Sequence, residues 1–453
     1  MIRKYIIIPV SAVLSLMSCG VYRHYERPDV EAGNSYTGHN PTDTTTIADK
    51  PWQELFTDPC LQKLMELALA RNTDLRVAYL KTNEAKAVVQ NAKLAYLPSV
   101  NINAEGTISR FDGSTSKTYN LGVGASWEID LFGKLTAAKR EAVAALESSE
   151  AYRQAVQTQL VSTVADSYYT LLMLDNQLGI NTETRKNWTE TIRMLEALKK
   201  NGRSNETAIL QARANLIALE NAEISLRKSI SETENALSSL LALPSQSIER
   251  GALDSQSFPD NLSAGVPLQL LSKRPDVRQA EFELAQAFYA TNVARAAFYP
   301  SVNLAGAAGW TNNGGGFVLN PGQWLLNAIG SLTQPLFNRG TNIANLKIAK
   351  ARQEEAALLF QQSLLNAGEE VNNSLTQLQS ARKRMANDHR QINILKEAVR
   401  KTELLMRHSS NTTYLEVLTA QQSLLEAENT FAQDRFDEIQ GIIRLYHALG
   451  GGL

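Results

Sequence analysis

Between residues 99 and 131, apolar and polar positions alternate with period two. Val100, Ile102, Ala104, Gly106 and Ile108 interleave with Asn101, Asn103, Glu105, Thr107 and Ser109. Tyr119, Leu121, Val123, Ala125, Trp127, Ile129 and Leu131 interleave with Asn120, Gly122, Gly124, Ser126, Glu128 and Asp130. The pattern predicts two strands, about 99–111 and 119–131, each with one apolar face. Phe111-Asp112-Gly113-Ser114 supplies the turn between them. Each strand is about the length that crosses a bilayer when tilted, roughly 9–11 residues. Two readings follow: a transmembrane β-barrel hairpin, or a hairpin half-buried on a soluble core. The alternation alone does not separate them.

The period then changes. Residues 134–200 and 341–408 contain no proline and carry a helical pattern. At 1.5 Å per residue each would reach about 100 Å. Val161, Val164, Tyr168 and Leu171 are spaced 3, 4, 3, and Leu364, Ala367, Val371, Ser374 and Leu378 are spaced 3, 4, 3, 4, as in coiled-coil seams. Their dilution by Ala and Ser suits packing on two neighbours around a hollow. Asn201-Gly202-Arg203-Ser204 and Ser409-Ser410-Asn411-Thr412 break the tracts, and return helices run to about 243 and 449. Asn72-Thr73 caps a helix reaching about 96. Arg274-Pro275-Asp276 opens another reaching about 298, with Pro275 suited to the first helical position and Asp276 to the first-turn dipole.

These elements occur twice. Asp74 and Asp276 lie 202 positions apart, as do Pro98 and Pro300, and Leu131-Phe132-Gly133-Lys134 has its counterpart in Leu336-Phe337-Asn338-Arg339. One offset at two landmarks identifies an internal repeat. The second pair of strands is expected at about 301–311 and 323–337. The division is then 51–243 for the first repeat, 244–270 for a linker rich in Pro and Gly, 271–449 for the second repeat and 450–453 for a tail.

The N-terminus alters the compartment. Arg3 and Lys4 precede a short apolar run and Leu16-Met17-Ser18-Cys19, which resembles a bacterial lipobox. Residues 1–18 are therefore expected to be a signal peptide, Cys19 the acylated residue and 19–50 an extended tether. Gly20 is not the aspartate that retains some lipoproteins in the inner membrane. Cys60, the other cysteine, is expected to be a small buried hydrophobe. Loss of residues 1–18 leaves 43 basic against 46 acidic residues, a formal charge of −3. That balance gives no reason to invoke nucleic acid. No segment holds 18 apolar residues in a row, so a membrane crossing would have to be made by strands.

Four strands cannot close a barrel, and open edges are not tolerated in lipid. Two copies would give eight strands and a lumen filled by side chains; three would give twelve and an open lumen. The pattern favours a homotrimer. The expected fold class is α+β, an internally duplicated chain whose four strands join a 12-stranded trimeric β-barrel continued by a long periplasmic α-helical barrel.

The sequence resembles the TolC/OprM outer-membrane efflux channels, in particular their lipoprotein branch. The resemblance rests on Tyr25-Glu26-Arg27-Pro28, on Trp52 with Leu55-Phe56 and Asp58-Pro59, on Arg274-Pro275-Asp276-Val277-Arg278 with Tyr299-Pro300, and on Tyr414-Leu415-Glu416-Val417-Leu418-Thr419. It covers residues 20–453. It implies a passive exit duct docked through a periplasmic adaptor (a membrane fusion protein) to an inner-membrane pump, most simply of the resistance–nodulation–division type. Drug efflux is the expectation; metal efflux and type I protein secretion are alternatives, and a structural coiled-coil lipoprotein or a periplasmic lipoprotein enzyme are distant ones.

No catalytic or metal constellation is visible, no cofactor is expected, and Gly122-Val123-Gly124 reads as strand packing rather than a phosphate loop. Lys199, Lys200, Gly202, Arg203 and Ser410 are expected at tips that meet the adaptor, with Lys199, Lys200, Arg203 and Arg407 making that end basic. Glu416, in the first turns of the final helix, is expected at the constriction, where copies converging on an axis would repel one another and favour cations. The family's acidic partner one turn on is Thr419 here, and its gate arginine and tyrosine align with Thr412 and Arg407. Arg407 is therefore free to pair with Glu416.

Overall fold

The computed structural model describes residues 24–28, 47–202, 204–259, 274–311, 323–408 and 414–452. Chain order is α1 (Trp52–Leu55), α2 (Pro59–Arg71), α3 (Thr73–Leu94), β1 (Ser99–Phe111), β2 (Ser114–Ile129), α4 (Lys134–Lys200), α5 (Glu206–Leu240), α6 (Pro275–Ala296), β3 (Ser301–Thr311), β4 (Gln323–Thr333), α7 (Thr341–His408) and α8 (Tyr414–Ala448). The duplication is legible element by element. α3 and α6 have 22 residues each, α4 and α7 have 67 and 68, and α5 and α8 have 35 each.

Local chemistry fixes the helix starts. Asp58 accepts from the Cys60 backbone N–H at 2.9 Å, with Pro59 at the first helical position of α2. Asn72 accepts from Leu75 at 3.0 Å and Asn205 from Ala208 at 2.9 Å, capping α3 and α5. Asp130 takes the N–H groups of Leu135 and Thr136 at 2.9 and 2.8 Å and so starts α4.

The chain divides into two compact units, each assembled from several stretches. The first holds residues 80–151 and 278–362 and contains the sheet. All four strands pair antiparallel in sequence order, with β2 against β3 joining the two hairpins. The register places opposite one another Ile102 and Val123, Val123 and Ala308, and Ala308 and Leu326. The apolar sets of all four strands thus share one face, and in the single chain that face is bare: Ile102, Leu326 and Leu332 are 79%, 87% and 69% exposed. The opposite face carries Asn101, Asn103, Asn120, Ser126, Glu128 and Asn303 with small residues between them. Gly122 stands opposite Gly309. A Cβ on Gly309 would lie 2.3 Å from the Leu121 carbonyl oxygen and 2.5 Å from Gly122 Cα, so no side chain fits there. The foot of the sheet is tied to the helix ends by Trp127 Nε1 donating to Tyr96 O and Gln334 Nε2 to Phe298 O, both at 2.9 Å.

Three strand limits differ from the expected ones, β2 ending at Ile129 rather than 131 among them. β2 begins at Ser114, not 119, because Asp112 (φ 45°) and Gly113 (φ 77°) alone make the turn and Phe111 pairs with Ser114. This is a two-residue hairpin of the type that Asp-Gly favours. β4 ends at Thr333 rather than 337, because Pro335 has no N–H to give a ladder.

The second unit holds residues 152–277 and 363–453 with 32–79. The predicted seams are its interior: Val161, Val164, Tyr168, Leu171, Leu364, Ala367, Val371, Ser374 and Leu378 are all buried. Trp52, Leu55, Phe56, Leu61 and Met65 of the N-terminal segment are buried too, and the Phe56 ring meets that of Tyr446 edge-on at 6.0 Å. No described helix is long and apolar enough to cross a membrane.

Candidate functional sites: the helix tips and the motif locks

The paired helix ends are built on one apolar cluster. Ile192 and Leu195 of α4, Ala208, Ile209 and Ala212 of α5, Met406 of α7, and Val417 and Leu418 of α8 pack together, with Tyr414 and Leu198 at the margin. Gly202, at φ 69°, donates its N–H to Lys199 O at 2.9 Å and turns the chain out of α4. Above the cluster, Gln421 is buried and donates to Thr191 Oγ1 at 3.1 Å and Glu403 Oε1 at 2.9 Å, tying α8 to α4 and α7. Sequence reasoning missed this bridge, because nothing in the local pattern marks a glutamine as a partner across three helices.

With Val417 and Leu418 turned into the cluster, Leu415, Glu416 and Thr419 are left exposed. Glu416 and Thr419 are three residues apart and share one helix face. Lys199, Lys200 and Gly202 are exposed at the end of the first tract. Of the cations expected there, Lys199 does not stand as a free charge. Lys199 is paired with Glu206, whose carboxyl is held below the usual range by that bond first and the Lys199 charge next. Nearby, Arg213 is paired with Glu196 at 2.7 Å. Arg407 lies in the last turn of α7, but its side chain, and all of Arg203, Ser410 and Thr412, lie outside the described residues, as does Cys19. A bond between Arg407 and Glu416 is therefore not on view.

Of the structural motif, Pro98 and Pro300 end the approaches to β1 and β3. Arg274 is 2% exposed. Its guanidinium grips Asp276 through Nε at 2.9 Å and NH2 at 2.7 Å, reaches Glu370 Oε2 on α7 at 2.8 Å, and donates from NH1 to Ala448 O, the end of α8, at 3.0 Å. One planar fork therefore closes the start of α6, α7 and the last turn of α8 together. Burial opposes the charges, and the Arg274–Asp276 bonds outweigh it, holding Asp276 below the usual carboxylate range.

A second lock explains the tryptophan–aspartate segment. Asp58 Oδ2 accepts from Tyr168 Oη at 2.7 Å and Gln256 Nε2 at 2.9 Å, and Tyr168 Oη in turn accepts from the Gly251 N–H at 3.0 Å. It joins α2, α4 and the segment after α5. Cys60, expected in the interior, is half-buried beside it, because in this first turn of α2 Asp58 and Leu61 take the buried side and Cys60 follows the exposed Pro59. Burial, and then Asp58, push its thiol pKa up. Among the described residues no group of three or more His, Cys, Asp or Glu is placed to hold a metal ion.

Comparison with known proteins agrees with this geometry. A family model described as outer membrane efflux protein matches twice, over residues 64–243 and 266–451. The cation efflux system protein CusC of Escherichia coli O6:H1 is 31% identical over 462 residues, covering 98% of each chain. The probable outer membrane lipoprotein SilC of Salmonella typhimurium is 30% identical over 462 residues, covering 99% of each. Among solved structures, the outer-membrane channel OprN superposes with a TM-score of 0.88 at 28% identity, over 96% of this chain and 99% of that one.

Proposed function

The chain belongs to the outer membrane efflux protein family, and from that premise we propose that three copies form the exit duct of a tripartite efflux machine. The observation that carries the reading is the bare apolar sheet face, continuous across four strands whose outer pair, β1 and β4, each have one neighbour only. A bilayer covers such a face, and copies of the same chain cover such edges. Three copies would supply twelve strands and an open lumen. Cys19 carries the lipid anchor, and residues 51–243 and 271–449 are the two repeats around a linker at 244–270. The duct conducts passively and catalyses no reaction.

In this reading Glu416 and Thr419 line the constriction, near Thr412 and Arg407. The tips bearing Lys199, Lys200, Gly202, Arg203 and Ser410 meet a periplasmic adaptor that links the duct to an inner-membrane pump of the resistance–nodulation–division type. The exposed pair Glu416 and Thr419 over a buried apolar cluster supports the first part. Planar-bilayer conductance tests it: Glu416→Gln should weaken cation selectivity and block by multivalent cations. Unchanged selectivity in a properly assembled variant would place the constriction elsewhere.

A second reading of the cargo has an observation behind it. The relative at 31% identity is named for cation efflux. Comparing growth of a deletion strain on metal salts with growth on organic toxicants separates metal cations from drugs as the cargo.

A further inference from the structure

The four strands carry only four charged residues, Glu105 and Arg110 on β1 and Lys117 and Glu128 on β2. The register sorts their signs by face. Arg110 stands opposite Thr115, Ile108 opposite Lys117 and Gly106 opposite Tyr119, so both cations belong to the period-two set of Ile102, Leu121 and Val123. Glu105, opposite Asn120, and Glu128, opposite Asn303, belong to the other set. Arg110 and Lys117 are both exposed. The apolar face of this hairpin therefore carries two cations and, among the described strand residues, no acid.

Aromatic residues mark both limits of that face. Trp127 and Tyr119 are eight positions apart on β2, about 26 Å along a strand and about 20 Å in height at a tilt of roughly 40°. Trp310 of β3, opposite Leu121, is diagonal to Tyr119. Amphipathic rings of this kind sit at the headgroup levels of a bilayer, on either side of an apolar band about 25 Å tall. Lys117 is the next position on the face beyond Tyr119, about 7 Å further along, and so falls at headgroup depth. Arg110 is the diagonal neighbour of Lys117, about 7–8 Å away. Two long cationic side chains at that spacing can close on one phosphate, the guanidinium as a fork and the ammonium as a point charge.

We propose that Arg110 and Lys117 form a binding site for the phosphate of an outer-leaflet lipid headgroup. The choice of leaflet rests on the duct reading above. Helices α3 and α4 both leave from the Ser99 and Ile129 end of the hairpin, so the Asp112-Gly113 turn points away from the periplasm. The bare apolar positions below the two cations seat acyl chains, so the surface fits a phosphate joined to acyl chains better than one free in solution. Asp112 is the acid nearest in sequence to Arg110, and the test below separates its role from that of the lipid.

Native mass spectrometry of the full-length protein, released from micelles of a non-ionic detergent containing diphosphoryl lipid A, counts bound lipid. The expected result is lipid A adducts on the wild type that weaken as ammonium acetate is raised. Affinity should fall about 5-fold in Arg110→Gln or Lys117→Gln and about 30-fold in the double variant, each still a heat-resistant assembly. Arg110→Lys keeps the charge and should lie close to wild type. Equal binding by the wild type and the double variant overturns the site. So does a loss in Asp112→Asn as large as in the double variant, which would make the cations supports of the turn. Displacement of lipid A by an equal concentration of inorganic phosphate overturns the lipid as occupant. Where the double variant fails to assemble, the wild type decides alone: adducts that ignore ionic strength, or that are as abundant with phosphatidylcholine as with lipid A, overturn the site. A wild type that does not insert into lipid vesicles at all overturns the duct reading, and the site with it.

Discussion

Arg274→Ala probes the motif that the sequence marks most strongly. It removes four hydrogen bonds, two to Asp276, one to Glu370 and one to Ala448 O. Deleting one partner of a fully buried ion pair costs about 3–5 kcal/mol. Here Asp276 and Glu370 are about half exposed, at 48% and 51%, so water recovers much of their solvation. The Ala448 carbonyl loses a charged donor, at a cost of about 1–3 kcal/mol. The sum is about 2–4 kcal/mol, felt mainly as local opening of the last turn of α8. Amide hydrogen exchange reads this directly. The N–H groups of Leu449, Gly450 and Gly451, bonded to Leu445, His447 and Tyr446, should exchange roughly 30- to 700-fold faster. Arg274→Lys should recover only part, since an ammonium cannot address three acceptors as a fork does. The pH dependence has a sign. Folding lowers the Asp276 pKa, so its contribution is present above the unfolded carboxylate range and is lost as pH falls below about 4. Wild type should show that acid loosening and Arg274→Ala should not. Unchanged exchange at residues 449–451 in the alanine variant, or full recovery by lysine, would refute the lock.

Three further outcomes are expected. Gly309→Val should prevent formation of heat-resistant assembled protein, because its Cβ would collide with the backbone of Leu121 and Gly122, whereas Gly106→Ala, with nothing within 4 Å, should assemble normally. Tyr168→Phe removes a buried hydrogen bond to Asp58 and a partly buried one from Gly251, and should cost about 2–3 kcal/mol. It should shorten the thermal inactivation half-life far more than Tyr169→Phe, whose single bond is 3.4 Å long. Mass spectrometry of the mature protein should find an acylated Cys19 at its N-terminus, and Cys19→Ala should still assemble.

Periodicity carried most of the architecture. The 3–4 spacing of Val161 to Leu171 and of Leu364 to Leu378 survives as buried seams, because a helix face is a local consequence of sequence. The shared offset of Asp74 with Asp276 and Pro98 with Pro300 located both hairpins. The start of β2 escaped notice because Ser114 to Thr118 lack an apolar face; only the Asp112-Gly113 turn signals that pairing begins at once. The partners of Asp58, Arg274 and Gln421 were not legible, since Gln256, Glu370 and Thr191 stand 198, 96 and 230 positions away. One contribution to the charge of the tip was hidden for a related reason. Lys199 counts as a cation in a residue tally, but the turn at Gly202 brings Glu206 back onto it.

The outer strands of the sheet have a consequence for the life of the protein in a cell. β1 and β4 present 13 and 11 residues whose outward backbone groups have no strand beside them. In hydrocarbon each such group carries a heavy penalty, so a lone subunit has no comfortable place in the bilayer. Insertion and association must then be one event, and a subunit arriving without its companions is a substrate for chaperones and proteases. The same dependence makes damage contagious. A copy with a defective β1 spoils the seam with its neighbour's β4, so one faulty member disables the whole ring. Alleles that disrupt an outer strand should therefore be dominant over a wild-type copy expressed beside them, while alleles that merely prevent export of the chain should be recessive.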